Sequence, residues 1–63
     1  MEIEKLRHLL EHWIEHNEEH ISRYIEWAEK IKDIDPELSR VIMESVEFFN
    51  RGNERLKRVR EMI

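Results

Sequence analysis

The sequence predicts an all-α fold, an antiparallel two-helix hairpin that dimerises into a four-helix bundle. Apolar residues recur three and four positions apart along two long segments, which is the pattern of amphipathic helices. Residues 2–32 contain neither glycine nor proline, and the single proline of the chain precedes the second segment. A hairpin of 63 residues is too small to cover both apolar stripes, so a second copy is expected to cover them.

The first predicted helix spans about residues 2–32, and its apolar residues form one seam of heptad spacing. In the middle of this seam an asparagine and a histidine stand where hydrocarbon is expected. The seam residues are Ile3, Leu6, Leu10, Trp13, Asn17, His20, Tyr24, Trp27, Ile31 and Ile34. A buried imidazole or amide without a partner costs roughly 1–3 kcal/mol, so this polar layer is expected to hold a ligand or a hydrogen-bond network.

The predicted turn covers residues 33–35 and ends in a helix-start signal. Asp35 can accept backbone hydrogen bonds as an N-cap, and Pro36 suits the first helical position. We predict one continuous second helix over residues 36–62, although Gly52 should cost it roughly 1 kcal/mol relative to alanine. Its seam is expected to be Leu38, Ile42, Ser45, Phe49, Gly52, Leu56, Val59 and Ile63. On this seam the glycine would let a bulky group of the other helix approach.

The short turn also predicts the register of the two helices. Two residues, one from each helix, should lie at the same height along the hairpin when their numbers sum to about 68. This register places Tyr24 beside Ser45 and Asn17 beside Gly52 or Asn53. Several apolar residues fall outside the two seams and would stay in contact with water in a single hairpin. These outlying residues are Ile14, Ile21, Ile25, Val41 and Phe48. Closed twofold symmetry is the commonest way to cover such a surface, so we predict a homodimer.

Composition excludes several classes of protein. The chain has no cysteine, which excludes disulfides and thiolate metal sites. A formal net charge of −4 argues against binding to nucleic acid. No apolar stretch is long enough for a signal peptide or a membrane span, so we expect a cytoplasmic protein without membrane contact. The many Glu, Lys, Arg and Ile residues resemble the composition of thermophile proteins.

Histidines four residues apart form the most specific pattern in the chain. They are His8, His12, His16 and His20. Side chains four apart meet on a helix surface, so neighbouring histidines of this ladder can ligate one cation. The phase of the predicted seam turns His20 inward and places His16 at the edge of the core. His12 then lies further out and His8 on the far side of the helix.

These positions predict a transition-metal site formed by His16 and His20, with His12 as a possible third ligand. Zinc and nickel are the expected ions, because imidazole suits both and the chain has no soft ligand. Three further residues are expected to give polar support: Asn17, Asn53 and Glu19. A second chain would double the ligands that one chain provides. The expected role is storage, sensing or delivery of the metal, and no partner besides a second copy is predicted.

The same segment resembles a group of small, uncharacterised prokaryotic helical-hairpin proteins. Their pattern is His-Trp, two residues, His-Asn, two residues and His, followed further on by a Trp-Ala pair. In this chain the pattern falls on His12, Trp13, His16, Asn17, His20, Trp27 and Ala28. The resemblance implies that the three histidines and the asparagine act as a unit. It implies no particular activity.

Two alternatives to a metal site remain. A structural dimerisation module would use the polar layer to set pairing specificity, since a buried asparagine such as Asn17 can fix register and oligomeric state. A pH-responsive interface would follow from several buried imidazoles, which change charge between about pH 5 and 7. No nucleophilic or phosphate-binding motif is present, so we do not predict an enzyme. Hydrolysis would need a metal with an open position and a bound water.

Overall fold

The computed structural model describes residues 1–63 and contains two α-helices. Helix α1 spans Glu2–Ile31 and helix α2 spans Pro36–Met62. The two helices pack against each other, which confirms the predicted all-α hairpin. Between Cα atoms the molecule is a rod 50 Å long and 14 Å wide. Neither helix contains a stretch apolar enough to cross a membrane.

Residues 32–35 connect the helices and reverse the direction of the chain. The backbone N–H of Asp35 donates to the carbonyl oxygen of Ile31 at 2.8 Å, which satisfies one acceptor at the end of α1. The Oδ1 atom of Asp35 then accepts a hydrogen bond of 3.1 Å from the backbone N–H of Leu38. This side-chain cap, followed directly by Pro36, starts α2.

The core lies between the two helices and consists of five buried apolar residues. They are Leu10, Ile14, Ile21, Ala28 and Val46. Along α1 these residues are four and seven positions apart, so they follow a single face of the helix. Full burial of each larger aliphatic side chain stabilises the fold by about 1.5–3 kcal/mol. The interhelical contact is therefore narrow and mostly aliphatic.

The inner face of α1 is rotated by roughly 50° from the predicted seam. Trp13 and Trp27, which the seam placed inside, are 42% and 58% exposed. Ile14 and Ile21, which the prediction placed outside the seam, are buried. The reason is that a helix with one neighbour contacts it along a single line, where branched aliphatic side chains pack closely. The predicted seam lies between this line of contact, which contains Ile14 and Ile21, and a second apolar stripe, which contains Trp13 and Trp27.

Helix α2 is rotated in the same way. Its buried residues are Ser39, Val46 and Asn53. Leu38 and Phe49, which the predicted seam included, are exposed. A Cβ atom built on Gly52 would have no neighbouring heavy atom within 4 Å. The prediction that Gly52 lets the other helix of the hairpin approach is therefore wrong.

This rotation leaves one broad side of the hairpin apolar. Successive residues of a helix are about 100° apart. With this spacing the exposed apolar stripe of α1 and that of α2 lie on the same side of the hairpin. The rings of Tyr24 and Phe49 meet there across the helices, with centroids 5.3 Å apart. This apolar face consists of Leu9, Trp13, Trp27, Leu38, Val41, Phe48 and Phe49. The opposite side instead carries an ion pair of 3.2 Å between Lys57 Nζ and Glu18 Oε2.

A buried serine joins the helices near the turn and makes a testable prediction. The hydroxyl of Ser39 donates to the backbone carbonyl oxygen of Ala28 at 2.7 Å. We expect Ser39→Ala to lower the free energy of unfolding by about 1–2 kcal/mol, measured by urea denaturation. Ser45→Ala is the matched control, because that exposed hydroxyl only donates back to Val41 in its own helix. Equal effects of the two variants would contradict the prediction.

Candidate metal-binding site

Two asparagines form a hydrogen-bonded polar layer in the middle of the hairpin. The Nδ2 atom of Asn17 donates to Oδ1 of Asn53 at 3.0 Å. The Nδ2 atom of Asn53 donates in turn to the backbone carbonyl oxygen of Ile14 at 3.3 Å. No buried side-chain nitrogen or oxygen in the chain lacks a partner. The amides of this layer are thus satisfied by a hydrogen-bond network within one chain.

His16 and His20 form a close pair beside this layer. Their Nε2 atoms are 2.9 Å apart, and their ring centroids are 4.4 Å apart. This geometry suits one imidazole that donates its N–H and one that accepts it. The Nδ1 atom of His20 lies 3.5 Å from the hydroxyl oxygen of Tyr24. His20 is half-buried at the edge of the interhelical contact, while His16 is exposed.

The remaining histidines are less closely associated with this pair. His12 is exposed, and its ring stacks near that of His16 with centroids 6.0 Å apart and planes 22° apart. His8 is also exposed and takes no part in the histidine pair. No three His, Asp or Glu side chains of the chain come together as a group that could hold a metal ion. One chain therefore brings together two of the predicted ligands, His16 and His20.

The polar support predicted for the site is present only in part. A shallow groove of about 250 Å³ holds the histidine pair, and its lining residues are His16, Asn17, His20, Ile21, Tyr24 and Phe49. Asn53 lies behind this groove, bonded to Asn17. Glu19 is exposed and lies in a surface depression with other acidic residues, away from the groove. Among the predicted support residues, the asparagines lie beside the pair and the glutamate does not.

Two lining residues were not predicted as part of the site. Tyr24 contacts His20, and Phe49 packs against Tyr24 from the other helix. Their contact could have been inferred only in part, because the register predicted Ser45 beside Tyr24. A tyrosine ring reaches about one helical turn along its neighbour, so it meets Phe49 instead.

The distance between the two imidazoles suits a shared metal ion. Nitrogen ligands bind zinc or nickel at about 2.0–2.1 Å. Two such ligands lie about 2.9 Å apart at a right angle and about 3.4 Å apart at the tetrahedral angle. The observed Nε2 separation of 2.9 Å matches the right angle of square-planar or octahedral sites. A tetrahedral zinc site would need the rings to separate by about half an ångström.

These features define a class of small all-α hairpin protein with a histidine pair, an asparagine layer and one uncovered apolar face. The chain belongs to the family described as Domain of unknown function (DUF8180), whose family model matches residues 6–63. It is also similar to an uncharacterised protein of Archaeoglobus fulgidus, with 41% identity over 61 residues. That similarity covers 97% of this chain and 98% of the archaeal protein. No solved structure matches the chain significantly.

Proposed function

We propose that this protein binds a transition metal ion through paired histidines at the centre of a homodimeric four-helix bundle. The observation that carries the proposal is the 2.9 Å separation of the Nε2 atoms of His16 and His20 on the apolar face. Two imidazoles so close on a rigid helix lose little freedom when they bind one ion. The role that we propose for such a site is storage, sensing or delivery of the metal.

A second copy of the chain is the partner that best fits the apolar face. Soluble monomers rarely leave a large contiguous apolar patch in contact with water. The hairpin presents a footprint of 50 × 14 Å between Cα atoms, or roughly 700 Å². Stable interfaces bury about 600–1,000 Å² on each partner, and the footprint of this face falls within that range.

The dimer also completes the ligand set. His16 and His20 lie close to the midpoint of α1, which spans Glu2–Ile31. A twofold axis through the middle of the bundle brings the partner's pair to the same level. Two histidines from each chain then supply four nitrogen ligands, which suffices for zinc or nickel. His12 lies too far outward to be needed in this set.

We further propose that the spacing of histidines and tryptophan around this pair is a feature of the family. The chain and its archaeal relative align over nearly their full length. A ligand set is expected to persist in such a relative even where surface residues differ. The relative should therefore carry histidines at the positions aligned with His16 and His20.

Metal analysis of the purified protein tests the proposed function. We expect the tag-free chain, dialysed against zinc or nickel and then against buffer, to retain one ion per two chains. Mass spectrometry of the elements measures the ion, and sedimentation equilibrium measures the dimer. A dimer that retains no metal above the background of the buffer would contradict the metal site. A monomer would contradict the whole proposal.

A second candidate is a structural dimerisation module that holds no ligand. The direct hydrogen bond between His16 and His20 favours it, because each ring satisfies the other without a metal. The bond between Asn17 and Asn53 likewise leaves no amide of the layer in need of a ligand. This candidate predicts that a chelator changes neither the dissociation constant of the dimer nor its melting temperature.

A further inference from the structure

The part of the apolar face that lies on α1 is symmetric about the middle of the helix. Six positions of α1, spaced alternately four and three residues apart, form three pairs. The two members of each pair are the same number of residues from residue 18. These pairs are Leu9 with Trp27, Trp13 with Arg23, and His16 with His20. An antiparallel copy of α1 centred on the same residue would match Leu9 with Trp27 and histidine with histidine, whereas Trp13 would meet Arg23. Such self-complementarity is what a twofold interface requires.

The part of the face on α2 is symmetric in the same way about residue 50. The pairs related by this centre are Val41 with Val59, which are alike, Ser45 with Arg55, which are not, and Phe48 with Gly52. The last pair places the most bulky residue of this stripe opposite the smallest. Phe48 is 70% exposed, and the guanidinium carbon of Arg51 lies 5.8 Å from the centroid of its ring.

The two centres of symmetry lie at nearly the same level of the hairpin. The hydrogen bonds that join Asn53 to Ile14 and Ser39 to Ala28 show which residues of the helices are level. In both contacts the residue numbers sum to 67, so residue 18 of α1 lies level with residue 49 of α2, one position from the centre at residue 50. One axis perpendicular to the helices can therefore pass close to both centres.

We propose that two copies pack through their apolar faces about this perpendicular axis, so that each helix lies antiparallel on its own copy. This proposal rests on the homodimer of the proposed function and specifies its arrangement. His16 then faces the partner's His20 at the metal site. Phe48 occupies the open space over Gly52 of the partner subunit.

The glycine is an independent observation in favour of this arrangement. Glycine weakens a helix interior relative to alanine, so its presence in α2 calls for a local reason. The hairpin offers none, because Gly52 has no positive φ and no heavy atom lies within 4 Å of a Cβ built on it. A phenylalanine ring of the partner packed on the bare backbone supplies the reason.

Substitutions at the glycine test this contact. We expect Gly52→Leu to raise the dissociation constant of the dimer about tenfold or more, because the new side chain occupies the space for Phe48. Asn50→Leu is the matched control, since it adds the same side chain on the charged side of α2. The double variant Phe48→Ala/Gly52→Leu exchanges the large and small partners and should recover most of the affinity. Circular dichroism checks that each variant is helical.

The proposal is overturned if Gly52→Leu, still helical, dimerises as tightly as the unmodified chain. It is also overturned if Asn50→Leu weakens the dimer equally. Both outcomes are read by sedimentation equilibrium in buffer with a chelator, so that metal binding does not contribute.

Cysteine cross-linking distinguishes the arrangement from its rival. The chain has no native cysteine, so a single introduced thiol reports one position. We expect Glu19→Cys to link to its own copy through a bis-maleimide about as long as the 8–10 Å between packed helices. If α1 instead lies on the partner's α2, Glu19→Cys chains link only to Arg51→Cys chains. That result would overturn the arrangement but leave the homodimer intact, whereas a monomer would overturn the proposed function as well.

Discussion

Nickel or zinc added at neutral pH is expected to raise the melting temperature of the protein by about 10–20 °C. A ligand at about 100 times its dissociation constant adds about 2.7 kcal/mol of stability, and each kcal/mol shifts a domain of this size by about 4–8 °C. The variant His16→Ala/His20→Ala should lose this shift completely, since it removes every proposed ligand. Thermal unfolding followed by circular dichroism, with and without added metal, measures the effect.

His8→Ala is the matched control, because it removes an exposed histidine of the same helix. We expect it to keep the full metal-dependent shift. His12→Ala tests the third ligand predicted from the sequence, and retention of the shift would place His12 outside the site. Identical melting curves with chelator and with metal for the unmodified chain would contradict metal binding and favour the ligand-free module.

Asn53→Ala is expected to cause the largest loss of stability among single polar substitutions, about 2–3 kcal/mol. Asn53 is only 4% exposed and bonds both to Asn17 and to the carbonyl oxygen of Ile14. Its removal leaves the Nδ2 donor of Asn17 without its partner, takes a second hydrogen bond from the Ile14 carbonyl, and opens a cavity beside them. Urea denaturation measures the change in the free energy of unfolding. For a chain of this size the loss would be a large part of the total stability.

Asn50→Ala is the control for this prediction, because Asn50 is exposed on the same helix. It should change stability by less than about 0.5 kcal/mol. The variant Asn17→Leu/Asn53→Leu tests what the layer contributes besides stability. Replacement of both partners by apolar groups can be neutral or stabilising, but it removes a buried polar pair of the kind that can fix register and oligomeric state. We expect this variant to be more stable than Asn53→Ala and to populate more than one oligomeric state.

The helices and their register could be predicted because their causes are local. The Asp35-Pro36 start signal and the absence of glycine and proline before it depend only on residues near in the chain. The short turn then limits which residues can be level, and it brings Asn17 to Asn53 as the register predicts. The pairing of His16 with His20 follows from helical spacing alone.

The direction in which each helix faces could not be predicted from its pattern. Each helix carries two adjacent apolar stripes. On α1 one stripe contains Ile14 and Ile21, and the other contains Trp13 and Trp27. A seam drawn between the stripes describes neither face. The contact of Tyr24 with Phe49, which shapes the groove beside His20, was missed because the predicted register placed Ser45 beside Tyr24.

Spacing and end signals in the chain thus establish an antiparallel hairpin with a histidine ladder and a polar layer, because hydrogen bonds between near neighbours decide these features. Only packing between the helices selects which stripe is buried, since that choice depends on how side chains from distant segments fit together. Packing turned Ile14 inward and left Trp13 outward, and it placed His16 and His20 on the uncovered side. The proposed site is therefore a property of the surface that the hairpin leaves open.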